Sequence, residues 1–263
     1  MKAYTSNNIR NIAVLGHGGK GKTTLCEAML YIAGASDRLG RVADGNTVLD
    51  FDSEEKRRKS SVSSAIAALE WDNTKLNIID APGLFDFEGG AAEAVRAAEA
   101  VLIVTSAGSG VDVGTEKAFR AADKKGAAKF FAVTKTDSDH RNFYKTFDAL
   151  KEVYGNKLCP TIIPYMEGNI TKCYVNLMTG MAFSYDENSK ATKVHAPEDS
   201  VIEEMTSAFM EAVATTDDAL MEKFFEGEKF TKEEILKGLC IGIFDGSIYP
   251  VYAVSGLTCA GVD

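Results

Sequence analysis

The stretch GHGGKGKT at residues 16–23 decides the fold of this chain. It lies between a short apolar run at residues 12–15 and an amphipathic stretch that begins near Lys22. Glycines let the backbone wrap so that consecutive amides converge on a phosphate, and a following helix adds the positive end of its dipole. The pattern G-x-x-x-x-G-K-[ST] between a strand and a helix therefore predicts the phosphate-binding loop of a P-loop NTPase.

The side chains of this loop have distinct predicted roles. We expect Lys22 to stabilise charge on β- and γ-phosphate oxygens and the Thr23 hydroxyl to ligate Mg²⁺. The residues expected to contact the nucleotide are His17, Gly18, Gly19, Lys20, Gly21, Lys22, Thr23 and Thr24.

The first half of the chain alternates short apolar runs with longer helical segments. The predicted strands include residues 12–15, 76–79, 101–105 and 130–133. The predicted helices include residues 22–33, 90–98, 115–125 and 143–154. This rhythm is typical of an α/β protein with a mostly parallel sheet and helices on both faces. In such sheets ligands bind beyond the carboxyl ends of the strands.

The second strand end carries DAPG at residues 80–83. We expect Asp80 to hold the Mg²⁺ shell and the Gly83 amide to reach the γ-phosphate. A bare D-x-x-G is more often an ordinary turn, and only its place after the phosphate loop favours the functional interpretation.

The third strand end carries TKTD at residues 134–137. The Asp137 carboxylate can accept paired hydrogen bonds from N1 and the 2-amino group of guanine, while the Lys135 stem packs over the base. An aspartate that caps a helix is the alternative. A fourth loop, formed by Ser255, Gly256 and Leu257, would offer a backbone amide to guanine O6.

The alternation of apolar runs and helical segments ends at Cys159-Pro160, and a different pattern follows. Alternating apolar residues at 170–177 and 181–185 predict a hairpin, and capping patterns at Ser200 and Thr231 predict helices. We therefore predict a GTP-binding domain at residues 1–158 and 240–263, interrupted by an α+β subdomain at residues 159–239. The apolar residues Phe209, Met210, Phe224 and Phe225 are expected in the core of that subdomain.

Composition limits the partners. The chain has 263 residues, 29 basic and 38 acidic side chains and a net charge of −9, which excludes a polycation that binds DNA by bulk attraction. No run approaches about 18 apolar residues, so we expect no membrane partner and a cytoplasmic location. The five cysteines form no C-x-x-C pair and are expected to be buried thiols.

Taken in order, these motifs resemble the translational GTPases of the elongation factor G type. The residues that carry the resemblance are GHGGKGKTT (16–24), DFDSEEKRRKSSVSSA (50–65), DAPG (80–83), TKTD (134–137), VSGL (254–257) and the insert at 197–235. The resemblance implies GTP and GDP binding with Mg²⁺, GTPase activity and a switch acting on the ribosome through stalk proteins and ribosomal RNA. It also implies a monomer with further domains after Asp263.

The departures from the family pattern leave alternatives open. The first switch reads RKSS rather than R-G-I-T, which makes Ser61 the candidate Mg²⁺ ligand. Thr134 replaces an Asn whose amide braces the phosphate loop, and Leu84 replaces the His that positions the attacking water. The chain is therefore interpreted as a GTPase, as a GTP-loading ribosome-binding regulator or protection-type paralogue with little hydrolysis, or as a P-loop ATPase or kinase without guanine specificity.

Overall fold

The computed structural model describes residues 2–138, 142–186 and 188–262. Its strands are β1 Ile9–Leu15, β2 Ala65–Trp71, β3 Thr74–Asp80, β4 Ala100–Ser106, β5 Ala128–Thr134, β6 Leu158–Glu167, β7 Ile170–Asn176, β8 Met181–Tyr185, β9 Ala191–Val194 and β10 Tyr249–Ala253. Its helices are α1 Lys22–Ile32, α2 Ser53–Arg58, α3 Glu88–Ala97, α4 Val113–Lys125, α5 Phe143–Tyr154, α6 Ser200–Ala214, α7 Asp218–Glu226 and α8 Lys232–Asp245.

The strands form one ten-stranded sheet in the order β2-β3-β1-β4-β5-β10-β6-β7-β8-β9. The six strands from β3 to β6 in that order run parallel, while β2 and β7 to β9 join antiparallel at the two ends. The predicted α/β fold with a mostly parallel central sheet is confirmed. The carboxyl ends of β1, β3, β5 and β10 consequently meet at one edge, where the four motifs lie.

Helices cover both faces of the sheet. On β1, Ala13 and Leu15 belong to the core beneath α3, α4 and α5, whereas Val14 belongs to the core beneath α1. This alternation follows from the two-residue period of a strand, and it explains why the central strands are apolar at consecutive positions.

The predicted insert continues the same sheet. Strand β6 pairs in parallel with β10 and antiparallel with β7, so the hairpins β7 to β9 extend the sheet outward. Helix α6 packs on β6, and α7 and α8 pack on α6. Helix α8 passes residue 239 without a break, and the domain boundary placed there stays a prediction.

Two predicted core positions are wrong. Phe225 is 80% exposed and Cys240 is exposed, whereas Phe209 is fully buried and Phe224 is half-buried. Phe225 follows Phe224 by one residue on α7, and Cys240 follows the buried Leu239 on α8. One residue turns a helix by about 100°, so each side chain leaves the buried stripe of its neighbour.

Within the described residues, no helix combines the length and the apolar composition needed to cross a bilayer.

Candidate nucleotide site

The phosphate loop joins β1 to α1 in a conformation that depends on glycine. Gly16 has φ +141°, and a Cβ there would lie 2.2 Å from the carbonyl oxygen of Val104 on β4. Gly21 has φ +87° and precedes α1 without a side-chain cap on the first amides of the helix. The loop thus bends over the strand ends, and the first amides of α1 point into the space that it encloses. Free amides at a helix N-terminus are what phosphate binding requires.

Lys22 lies at the centre of this space. Its ammonium donates hydrogen bonds to the carbonyl oxygens of Gly16 at 3.0 Å and His17 at 3.1 Å, and the side chain is buried. A Cβ on Gly83 would lie 2.1 Å from Lys22 Nζ, so the backbone after β3 comes directly against the lysine. Burial lowers the pKa of Lys22, partly offset by the nearby Asp80. The structure therefore places Lys22 and Gly83 side by side.

The three predicted metal ligands converge next to Lys22. The Thr23 hydroxyl donates to Asp80 Oδ2 at 2.6 Å and lies 3.1 Å from the Ser61 hydroxyl. The Ser61 hydroxyl in turn donates to Asp50 Oδ1 at 2.7 Å. Asp50 is thus a fourth member of this cluster, beside the predicted ligands Thr23, Ser61 and Asp80.

This cluster suits Mg²⁺ in its chemistry. It offers carboxylate and hydroxyl oxygens, the ligand types that Mg²⁺ prefers. Asp80 Oδ1 and Asp50 Oδ2 are buried and have no hydrogen-bond partner. Burial raises the pKa of Asp80 to about 7, against the opposing effects of the Thr23 hydrogen bond and the Lys22 charge. Burial likewise raises the pKa of Asp50, against the Ser61 hydrogen bond. A divalent cation would stabilise both carboxylates in their charged form.

Residues before β2 are held in place by two glutamates. Glu27 on α1 is fully buried, and its Oε1 accepts the amides of Val48 at 2.8 Å and Leu49 at 3.0 Å. Glu55 on α2 accepts the amides of Val62 at 2.9 Å and Ser63 at 3.1 Å. These contacts bring Asp50 and Ser61 to Thr23. Sequence reasoning missed Asp50 because its place depends on this loop path, although it opens the quoted run at residues 50–65.

The predicted base-binding loops lie beside the phosphate loop. Lys135 has φ +60°, and its ammonium donates to the carbonyl oxygen of Gly19 at 2.7 Å. Asp137 is exposed at the turn after β5. A Cβ on Gly256 would lie 2.8 Å from the carbonyl oxygen of Thr24, so residues 255–257 rest on the first turn of α1. Within that loop Ser255 is buried, and Leu257 is half-exposed.

The replacement of Asn by Thr134 does not remove the brace on the phosphate loop. The Thr134 hydroxyl lies 2.6 Å from the carbonyl oxygen of Lys20 and 3.0 Å from that of Thr105, and it can donate to either. The Asn amide is absent, as the sequence shows, but the hydroxyl of Thr134 at the buried end of β5 reaches the same loop.

The remaining loop residues face α4 and the segment after β3. Lys20 Nζ forms an ion pair with Asp112 Oδ2 at 3.1 Å, which directs its charge toward the N-terminus of α4. The His17 ring meets Phe85 edge-on at 5.5 Å. The Leu84 side chain covers Gly18, with Cδ2 2.9 Å from a Cβ placed there.

Comparisons with known proteins agree with this geometry. The family described as the elongation factor Tu GTP binding domain matches residues 7–263. Two curated proteins from Mycobacterium tuberculosis, strains CDC 1551 / Oshkosh and ATCC 25618 / H37Rv, are both called elongation factor G-like protein. Each is 32% identical over 256 residues, covering 96% of this chain and 35% of the relative.

A crystal structure of a protein from Thermus thermophilus superposes with a TM-score of 0.89 at 35% sequence identity. The match covers 97% of this chain and 38% of that protein. The chain therefore spans little more than a third of the length of these relatives.

Proposed function

The chain belongs to the elongation factor Tu GTP-binding domain family, and from that premise we propose that it binds GTP and GDP with Mg²⁺ as the switch of an elongation factor G-type protein. One observation carries the proposal: Lys22, Thr23, Ser61 and Asp80 converge within hydrogen-bonding reach of one another or of the phosphate loop. These residues come from three separate segments of the chain.

Each side chain has a task in this proposal. Lys22 would exchange its bonds to loop carbonyls for phosphate oxygens, and the Gly83 amide would face the γ-phosphate. Thr23 and Ser61 would ligate Mg²⁺ directly, while Asp80 and Asp50 would accept hydrogen bonds from its water ligands. Mg²⁺ supplies charge neutralisation between the phosphates. Loss of the γ-phosphate would release Ser61 and Gly83 together, which is how such a switch changes state.

The ribosomal role is a further part of the proposal. Support comes from the name of the Mycobacterium tuberculosis relatives and from the insert at residues 197–235. The partners would be ribosomal stalk proteins and ribosomal RNA, met in the cytoplasm by a monomeric protein of several domains. The charge of −9 favours local docking over bulk attraction to RNA.

A second candidate is a GTP-loading regulator that hydrolyses slowly. The observation that favours it is Leu84, which lies over the phosphate loop and can neither donate nor accept a hydrogen bond. Catalysis of phosphoryl transfer relies on positioning and electrostatics, so a water without an orienting side chain reacts slowly.

Exchange of the base-reading carboxylate tests the guanine proposal. An Asp137→Asn variant presents an amide that can donate to the 2-oxo group of xanthine but cannot accept both guanine protons. We expect at least about tenfold weaker GDP binding and a preference for XDP, measured by competition against a labelled nucleotide.

Asp148→Asn on the exposed side of α5 serves as the matched control and should keep GDP preference. Retained guanine preference in Asp137→Asn would show that TKTD at residues 134–137 does not read the base.

A further inference from the structure

The Thr136 hydroxyl lies at a junction of three parts of the chain. It is buried, donates to the carbonyl oxygen of Val254 at 3.0 Å and lies 2.8 Å from the Tyr174 hydroxyl. Thr136 immediately precedes Asp137, and Val254 immediately precedes the loop at residues 255–257. Since a hydroxyl carries one proton, and Thr136 gives it to Val254, Tyr174 donates to Thr136. The result is a directed chain of two hydrogen bonds that links β7 to both base-binding loops.

The same strand makes a second contact with Thr136. The Thr171 hydroxyl donates to the Thr136 carbonyl oxygen at 2.8 Å. Thr171 and Tyr174 both belong to β7, which pairs with β6 and β8 in the outer part of the sheet. Strand β7 thus holds Thr136 by its side chain and by its backbone.

Tyr174 is itself held firmly. It is buried, and its ring meets Tyr185 on β8 edge-on at 5.7 Å. Burial raises the pKa of Tyr174, so the hydroxyl stays protonated and remains a donor at neutral pH. A fixed donor gives Thr136 one orientation.

We propose that Tyr174 and Thr136 are a positioning pair that sets Asp137 against the loop at residues 255–257, so that guanine specificity depends in part on the hairpin of the insert. This inference rests on the proposed guanine-nucleotide function. Nothing in a nucleotide motif predicts it, since Tyr174 lies 38 positions from Thr136 in the chain.

The geometry of the base loop explains what such support would contribute. Asp137 is exposed. Lys135 adopts φ +60°, a backbone conformation that is unfavourable for residues other than glycine. Two parallel hydrogen bonds to N1 and the 2-amino group require the Asp137 carboxylate at a defined angle. A loop held only by its ends would let that carboxylate rotate, and the bond to the 2-amino group would weaken.

Tyr174→Phe removes the donor and keeps the ring. Two quantities report on the base site: the rate of GDP dissociation, and the ratio of GDP to IDP affinity, since inosine lacks the 2-amino group. We expect Tyr174→Phe to speed GDP dissociation and to reduce the GDP to IDP ratio, each by about three- to tenfold, the range of one hydrogen bond. Thr136→Val should have a comparable effect, and the double variant should not exceed the larger single effect.

Tyr144→Phe is the matched control, because its hydroxyl donates to the carbonyl oxygen of Pro164 at 2.6 Å, on β6 rather than at a base loop. It should lose thermal stability as Tyr174→Phe does but keep both nucleotide values. If the two Phe variants have equal dissociation rates and equal ratios, the pair does not position the site, while the proposed function stands. A wild-type protein that binds no GDP would instead contradict the proposed function and this inference with it.

Discussion

The Leu84 side chain reaches over the phosphate loop to Gly18 from the turn after β3. A histidine at this position would have a ring nitrogen able to orient a water at the γ-phosphate, next to the Gly83 backbone. Leucine offers only methyl groups there, and it is 38% exposed. The position is therefore suited to contact the phosphate region but not to direct a nucleophile.

Substitution of Leu84 by histidine should raise GTP hydrolysis. We expect Leu84→His to increase the single-turnover rate in the presence of ribosomes by about 10²-fold, in line with the effect of one positioned polar side chain. Leu84→Ala, which clears the same space without a ring nitrogen, is the control and should remain slow. The contrary outcome is a wild type that turns over rapidly with ribosomes and gains nothing from Leu84→His. That result would show that another group orients the water.

Motif residues were predictable from sequence where neighbours in the chain act together. The phosphate loop, Asp80 and Gly83 needed only a strand end and a following turn. Asp50 and Glu27 were not predictable in this way, because their contacts depend on the path of residues 40–64 across α1. Tyr174 belongs to the same class, since its partner Thr136 is distant in sequence.

Three carboxylates with raised pKa values lie on three separate segments: α1, the loop before α2 and the end of β3. Glu27, Asp50 and Asp80 are all buried, and burial raises the pKa of each above its ordinary value. For Asp80 the ordinary value is 3.8 and the folded value is about 7. Between these values the folded protein holds more protons than the unfolded chain, so stability falls as pH rises.

This linkage gives a prediction for the nucleotide-free protein in EDTA. The melting temperature should fall between pH 5 and pH 8, because the buried carboxylates lose protons that they retain more tightly when folded. Mg²⁺ should reduce the loss by stabilising the charged forms. Asp80→Asn removes the carboxyl group whose pKa is raised to about 7, and this variant should melt with a shallower pH slope. Equal slopes for the wild type and Asp80→Asn would refute the assignment of this linkage to Asp80.

The predicted helices and strands of the central sheet lie within a few residues of their observed bounds. Strands β2 and β6 were not predicted, although β6 is buried along most of its length; its Pro160 and Pro164 are residues that argue against a central strand. Helix α5 matches its predicted bounds, and the central strands extend the predicted runs at one or both ends. Strand β9 was missed because it has only four residues and lies largely exposed at the sheet edge, so neither burial nor alternation marks it. Helix α2 was missed because its six residues are all polar or charged, and only its capping box fixes it.

The ten described strands form one sheet, and both its central and its outer strands reach the candidate nucleotide site. The central strands deliver four loops to a common edge, and the outer strands β7 to β9 carry a hairpin that reaches back to one of those loops. Under the proposed function, the acidic charge of the chain is compatible with phosphate binding, since the candidate site offers backbone amides, a helix N-terminus and Lys22, and since Mg²⁺ would add positive charge there. The α/β class was predictable from the sequence. The continuity of the sheet through the insert was not, because the sequence of a strand does not show which other strand it pairs with.

The central claim is that this edge binds guanine nucleotide with Mg²⁺. It is tested most directly by displacement of labelled GDP from the wild-type protein with unlabelled GDP, GTP and ATP, with Mg²⁺ or with EDTA. We predict that GDP and GTP displace the label in Mg²⁺, that EDTA weakens binding, and that ATP fails even at about 100-fold higher concentration. Displacement by ATP as efficient as that by GTP would contradict the claim.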